Sequence, residues 1–211
     1  RPVQKAFVEG NVDALRSDGM IKAFDQMRLM VSKYMDPAIA GRDYDTASNM
    51  MANGDALFFI MGDWASSQWQ SEGLKLGVDY TWAPGPGTKG VYQWLSDSFT
   101  LPKGAVNRDA GIAWLKVCGS LAGQDAFNPK KGSIAVRKDS NPKLYDSYLQ
   151  AAMKSWKVDR LVGSTVHGVN YGNAGMAAYD AAVGRFYTGG AKDAKGFAKA
   201  LVAAYNANKA G

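Results

Sequence analysis

The chain has 211 residues, 46% of them hydrophobic and 21% charged, with a formal net charge of +6. This composition excludes a disordered chain, since the apolar fraction can build a core and both charge signs are mixed, and the length suits one large domain or two small ones. The lone cysteine, Cys118, excludes an internal disulfide and a cysteine-rich zinc site, and no apolar run reaches the roughly 20 residues of a membrane span.

In chain order, the opening Arg1-Pro2-Val3-Gln4 carries no initiator methionine and no secretory leader, which fits a processed or excised piece. Met20, Phe24, Met27 and Val31 share one face at helical spacing. They predict a helix over 17–34, stopped by Asp36-Pro37. A second helix is expected over 44–53, closed by Gly54. The apolar run 56–61, bounded by Gly54 and Gly62, predicts a strand buried on both faces. Gly62-Asp63 then turns the chain into a helix over 64–72, with the Asp63 carboxylate expected to cap it.

Residues 77–82 are expected to be a strand, 83–87 a Pro/Gly loop and 91–101 extended. Asn107 is expected to cap a helix over 107–121, which carries Cys118 as a small buried core residue. A short helix over 122–127 leads to a loop at Asn128-Pro129-Lys130-Lys131-Gly132. Asn141-Pro142 predicts a helix running to about 154, and 156–173 reads as loop. Met176, Tyr179, Val183 and Phe186 mark the next helix. Phe197, Leu201 and Tyr205 mark the last, which begins after Asp193. Helices alternating with a few short strands make this an α/β chain with a small mixed sheet.

Three stretches resemble one family in order. They are 50–64 (MMANGDALFFIMGDW), 101–115 (LPKGAVNRDAGIAWL) and 128–137 (NPKKGSIAVR). They are similar to segments of the ABC-transporter extracellular solute-binding proteins of the maltose-binding type, and within them to the glucose/mannose-binding members. The resemblance implies the helix-rich lobe of a type II periplasmic-binding-protein fold. Residues 1–97 and 138–211 would form the C-terminal lobe. Residues 98–137 would belong to an N-terminal lobe, most of which is absent from this chain. The apolar face of the helix near 110–121 is then expected to contact another chain or to repack on this one.

The same resemblance implies sugar contacts at Trp64, Asp97, Lys131 and His167. It implies a periplasmic location, a glucose-like monosaccharide as ligand and ABC permease subunits as partners, with no cofactor. The chemistry of these residue types suits that ligand. An indole covers the apolar C–H face of a sugar ring, and carboxylate, ammonium and imidazole take its hydroxyls. Trp82 and Trp94 are further stacking candidates, with packing as the simpler reading of each.

Two other classes compete. A sugar-cleaving hydrolase needs a carboxylate pair, for which Asp55, Asp63 and Asp97 are available. A single histidine, and no Gly-x-Ser-x-Gly elbow or phosphate loop, leave such an enzyme little else. The +6 charge admits a module that binds nucleic acid or another partner, but no Lys/Arg block exceeds two residues, so no nucleic-acid partner is expected.

Overall fold

The computed structural model describes residues 5–6, 11–167, 173–188 and 193–209, and the chain is a helix-rich α/β protein. Its α-helices among the described residues are α1 (Asp18–Lys33), α2 (Tyr44–Ala52), α3 (Trp64–Ser71), α4 (Arg108–Gly119), α5 (Leu121–Lys131), α6 (Ser147–Val158), α7 (Asn173–Tyr187) and α8 (Ala194–Lys209). Strands β1 (Val91–Trp94) and β2 (Arg160–Gly163) pair with each other. The Arg160 N–H donates to the Gly90 carbonyl at 3.0 Å and the Ser164 N–H to the Trp94 carbonyl at 2.7 Å. Both partners advance four residues in the same direction, so the pair is parallel. The chain divides into two compact units, one of residues 1–43, 93–95 and 162–211, the other of residues 44–92 and 96–161.

In the first unit, amphipathic spacing decides the core. Ala194, Phe197, Ala198, Leu201, Val202 and Tyr205 recur every three or four residues along α8 and are all buried. Phe197, 2% exposed, meets Phe24 of α1 edge-on at 4.8 Å and Phe186 of α7 at 4.5 Å. Leu15, from the 3-10 turn Val12–Arg16, joins this cluster. Asp193 caps α8 by accepting the Gly196 N–H, as expected of an aspartate at that position.

The second unit has a smaller core. Ala65 and Trp69 of α3 bury against Tyr80, with Met51, Phe59 and Leu74 packed around them. The Trp69 indole N–H donates to the Ser48 hydroxyl of α2 at 2.9 Å, and Ser48 is fully buried. Trp69→Phe keeps most of the ring but strands that hydroxyl. It should cost about 1–2 kcal/mol, measurable by denaturant unfolding, and an unchanged midpoint would remove the bond from the stability account.

Several expected elements differ. Residues 56–61 are irregular, bend at Leu57 and join no ladder, and Leu57 and Phe58 are 83% and 88% exposed. A strand requires a neighbour for its N–H and C=O groups, and among the described residues none lies alongside. Only Phe59 of this run turns toward the Trp69 cluster. Residues 77–82 hold a turn closed by a single bridge, Leu76 to Tyr80. The 3-10 turn Pro142–Leu144 follows Asn141, and α6 starts separately, with Asp146 accepting the Leu149 N–H at 2.8 Å. The expected 156–173 loop holds the end of α6 and β2.

The turn expected at 128–132 is helical. α5 runs through Pro129 to Lys131 and ends at Gly132, whose φ of 78° is left-handed. Asn128 braces this turn, since its amide donates to the Gln124 carbonyl at 3.0 Å and its carbonyl accepts from Ser133 at 2.8 Å. Cys118 is only half-buried, because α4 buries no residue fully. Among the described residues, no side chain buries the outer face of α4. Trp114 is 59% exposed and touches only the edge of the Phe99 ring, at 6.5 Å, among the described ring contacts.

Candidate functional site

The second unit holds three of the four expected contacts, and in it the start of α3 docks on the end of α5. Trp64 is the first residue of α3, and its ring folds back over Gly62. A Cβ at position 62 would stand within 2.7 Å of the ring Cε3 and closer still to its outer carbons, so glycine is what lets the indole lie there. Lys131 ends α5, and its Nζ lies 2.7 Å from the Asp97 carboxylate.

Asp97 is not a buried strand residue. β1 stops at Trp94, and the Asp97 side chain is more than half exposed, which is why a single ammonium suffices as its partner. The start of α3 docks on the end of α5. The position of a Cβ on Gly132 lies 2.7 Å from the Ser67 Cβ and 3.0 Å from the Asp63 carbonyl oxygen, and the Ser67 hydroxyl donates to the Lys130 carbonyl. This contact sets Lys131 beside the Gly62-Asp63-Trp64 turn.

Asp63 does not cap α3. Its backbone is already helical, with φ −59° and ψ −26°, and its carboxylate accepts no N–H of the first turn. Burial raises its pKa first; a hydrogen bond from its own backbone N–H and then the Lys131 ammonium oppose that, and the Asp97 charge adds a smaller rise. Tyr92 of β1 and Tyr148 of α6 share the same field. Burial, then the Asp63 charge, pushes the Tyr92 phenol up to about 12. Tyr148 is raised as well, by burial first and then by Asp63, Tyr92 and Asp146. Both phenols therefore stay protonated at neutral pH and can donate hydrogen bonds. The Trp156 ring meets Tyr92 at 5.6 Å, and Trp82 meets Tyr148 at 5.2 Å, both edge-on. Trp82 thus packs as part of an aromatic pair.

His167 belongs to the first unit. It is exposed, and its Nδ1 lies 2.8 Å from the Ser164 hydroxyl. Trp94 is half-buried in β1 and also belongs to that unit. Sequence reasoning missed Tyr92 and Tyr148, which no local pattern marks, and gave Asp63 a capping role. Among the described residues no three His, Cys, Asp or Glu side chains converge as metal ligands, and no helix is long and apolar enough to cross a membrane.

Among the described residues, this part of the second unit offers an indole, the Lys131 ammonium, the Asp63 and Asp97 carboxylates and the Tyr92 and Tyr148 phenols. That set matches a polyhydroxylated ligand with an apolar ring face.

Residues 4–154 match the family described as bacterial extracellular solute-binding protein. A probable sugar-binding periplasmic protein of Brucella suis is 35% identical over 98% of this chain and 50% of its own length. An uncharacterized ABC transporter extracellular-binding protein of Pyrococcus horikoshii is 34% identical over 77% of this chain and 36% of its own. A xylose/arabinose-binding protein of Haloferax volcanii is 28% identical over 68% of this chain and 31% of its own. The chain spans half the length or less of these curated relatives.

Proposed function

The chain belongs to the bacterial extracellular solute-binding proteins, and from that premise we propose that it is the C-terminal part of a periplasmic sugar-binding protein serving an ABC transporter. In this reading residues 1–97 and 138–211 build one lobe. Residues 98–137 complete the other, whose remainder lies outside this chain. A monosaccharide, glucose or a close relative such as mannose, binds in the cleft of the two-lobed protein, which then delivers it to the permease subunits. Closure of two lobes around a ligand is the general behaviour of periplasmic binding proteins. The protein binds its sugar and does not cleave it.

The observation that carries this reading is the Lys131–Asp97 ion pair at the end of α5, the helix end that docks on α3, whose first residue is Trp64. An ammonium and a carboxylate in contact supply a donor and an acceptor to adjacent sugar hydroxyls, and the indole takes the ring face. His167 is the fourth contact in this proposal. The sugar-binding names of the Brucella relative and of the more distant Haloferax relative support the ligand class, and the latter keeps pentoses as the second candidate.

The test is titration of the full-length protein with glucose, mannose, galactose, xylose, arabinose and maltose, followed by tryptophan fluorescence. Glucose or mannose should bind most tightly, and Trp64→Ala, Asp97→Ala and His167→Ala should each weaken binding. Tightest binding of xylose or maltose would replace the hexose, and normal binding by all three variants would remove the site.

A further inference from the structure

The run 56–61 leaves apolar side chains and main-chain groups open together. Leu57, Phe58 and Ile60 are 83%, 88% and 71% exposed, and the run carries no charge. Among the described residues, no main-chain hydrogen bond joins residues 57–61 to the rest of the backbone. Both ends of the run are nevertheless fixed. Past α2, Gly54 has a left-handed φ of 83°, and the N–H groups of Asp55 and Ala56 donate to the Met50 carbonyl at 2.8 and 3.2 Å. At the far end the Gly62 carbonyl accepts from the Ala65 N–H at 3.2 Å. Phe59 anchors the middle, its ring 5.9 Å from Trp69 and 6.0 Å from Tyr44. The run is thus held against the core of the second unit with its main chain unpaired.

We propose that 56–61 is the docking edge for a β-strand supplied by the part of the polypeptide that lies outside residues 1–211. Buried N–H and C=O groups need partners, and an apolar run of high β-propensity with an open main chain is a template for a strand. The occupant follows from length. This chain covers 50% of the Brucella suis relative, so as much polypeptide again accompanies the matched part there. Strand addition satisfies the main chain through a ladder, and successive side chains then point to opposite faces. With Phe59 inward, Leu57 and Met61 join its side, while Phe58 and Ile60 take the other. That second face is apolar too, so the remainder of the protein also covers Phe58 and Ile60.

This rests on the reading above for the longer, two-lobed protein and goes beyond it. There, residues 1–97 and 138–211 build one lobe; here that lobe takes a strand from outside the chain. The run leads directly into Gly62-Asp63-Trp64, so the same pairing fixes the approach to Trp64.

The test uses the full-length protein, with hydrogen–deuterium exchange read by mass spectrometry and a photo-crosslinking phenylalanine analogue in place of Phe58. The amides of 57–61 should exchange at least about a hundredfold more slowly than in an unstructured peptide, as ladder amides do. The crosslink should join position 58 to a residue outside 1–211 of the same molecule. Ile60→Lys should lower the melting midpoint, since it places a charge under that cover, whereas on an open surface it would not. Exchange at the unstructured rate would overturn the proposal. So would an Ile60→Lys protein that melts as the parent does, or a crosslink within residues 1–211, to a second copy or to another protein. Glucose titration of the same sample keeps the two readings apart. Normal sugar binding with unprotected amides removes the strand pairing alone. Protection and crosslink without binding of any sugar remove the sugar-binding reading and leave the pairing in place.

Discussion

Lys131→Met should weaken binding of a neutral hexose about a hundredfold while moving the melting midpoint little. The two effects differ because the ion pair sits where water reaches it. Its side chains are 31% and 59% exposed, and a pair of that kind contributes at most about 1 kcal/mol to folding. A bound sugar changes the setting. It displaces water from the pair, and hydrogen bonds from an ammonium to hydroxyls are then worth about 1.5–3 kcal/mol. At about 1.4 kcal/mol per factor of ten, the upper end of that range is a hundredfold. Removing Lys131 also takes away the ammonium that lowers the Asp63 pKa, so Asp63 rises further. Lys131→Arg should rescue only part, since a planar guanidinium does not reproduce the reach of a point ammonium. Fluorescence titration with parallel melts reads both quantities. Equal affinity in Lys131→Met would mean that the pair is an ordinary surface contact.

How much of this was legible depended on whether the information lay in one segment. The helices of the first unit were, because Met20, Phe24 and Met27 of α1 and Phe197, Leu201 and Tyr205 of α8 repeat at the helix period and pack on that face. The run 56–61 was not, because an apolar run becomes a strand only when a partner offers a ladder, and its sequence does not specify the partner. Pro129 read as the end of a helix. Its missing N–H is a loss to α5, but Asn128 and Ser133 hold the turn through side-chain bonds that a propensity reading does not weigh.

The site was legible in part. Trp64, Asp97 and Lys131 entered by resemblance, and the contact between the last two is a tertiary fact. Tyr92 and Tyr148 lie on a strand and a helix more than fifty residues apart, and only packing lets both share the field of Asp63. Asp63 was misassigned for a physical reason. An aspartate just before a helix is most often its cap, and here the backbone had already turned helical.

Gly132→Val should cost about 4 kcal/mol of stability and weaken sugar binding in the same variant, although residue 132 is no proposed sugar contact. Two strains add. The backbone there has φ 78°, where a β-branched side chain costs about 1–3 kcal/mol. The new Cβ also falls 2.7 Å from the Ser67 Cβ and 3.0 Å from the Asp63 carbonyl oxygen, and overpacking of that sort costs about 1–3 kcal/mol more. Neither neighbour can swing aside, since one is a Cβ fixed to α3 and the other is main chain. Relief must come from parting α3 and α5, which moves Lys131 away from the Gly62-Asp63-Trp64 turn. Coupled loss of stability and affinity is thus the signature of a residue that positions the site, in contrast to Lys131→Met, where affinity falls alone. Gly132→Ala paired with Ser67→Gly separates the strains. Removing the Ser67 Cβ relieves the nearer approach but leaves the φ penalty, the approach to the Asp63 carbonyl oxygen and the loss of the Ser67 hydroxyl bond to Lys130, so the pair should recover part of the affinity and less of the stability. If Gly132→Val melts and binds as the parent does, α3 does not hold Lys131 in place, and the site loses its link between the two helices.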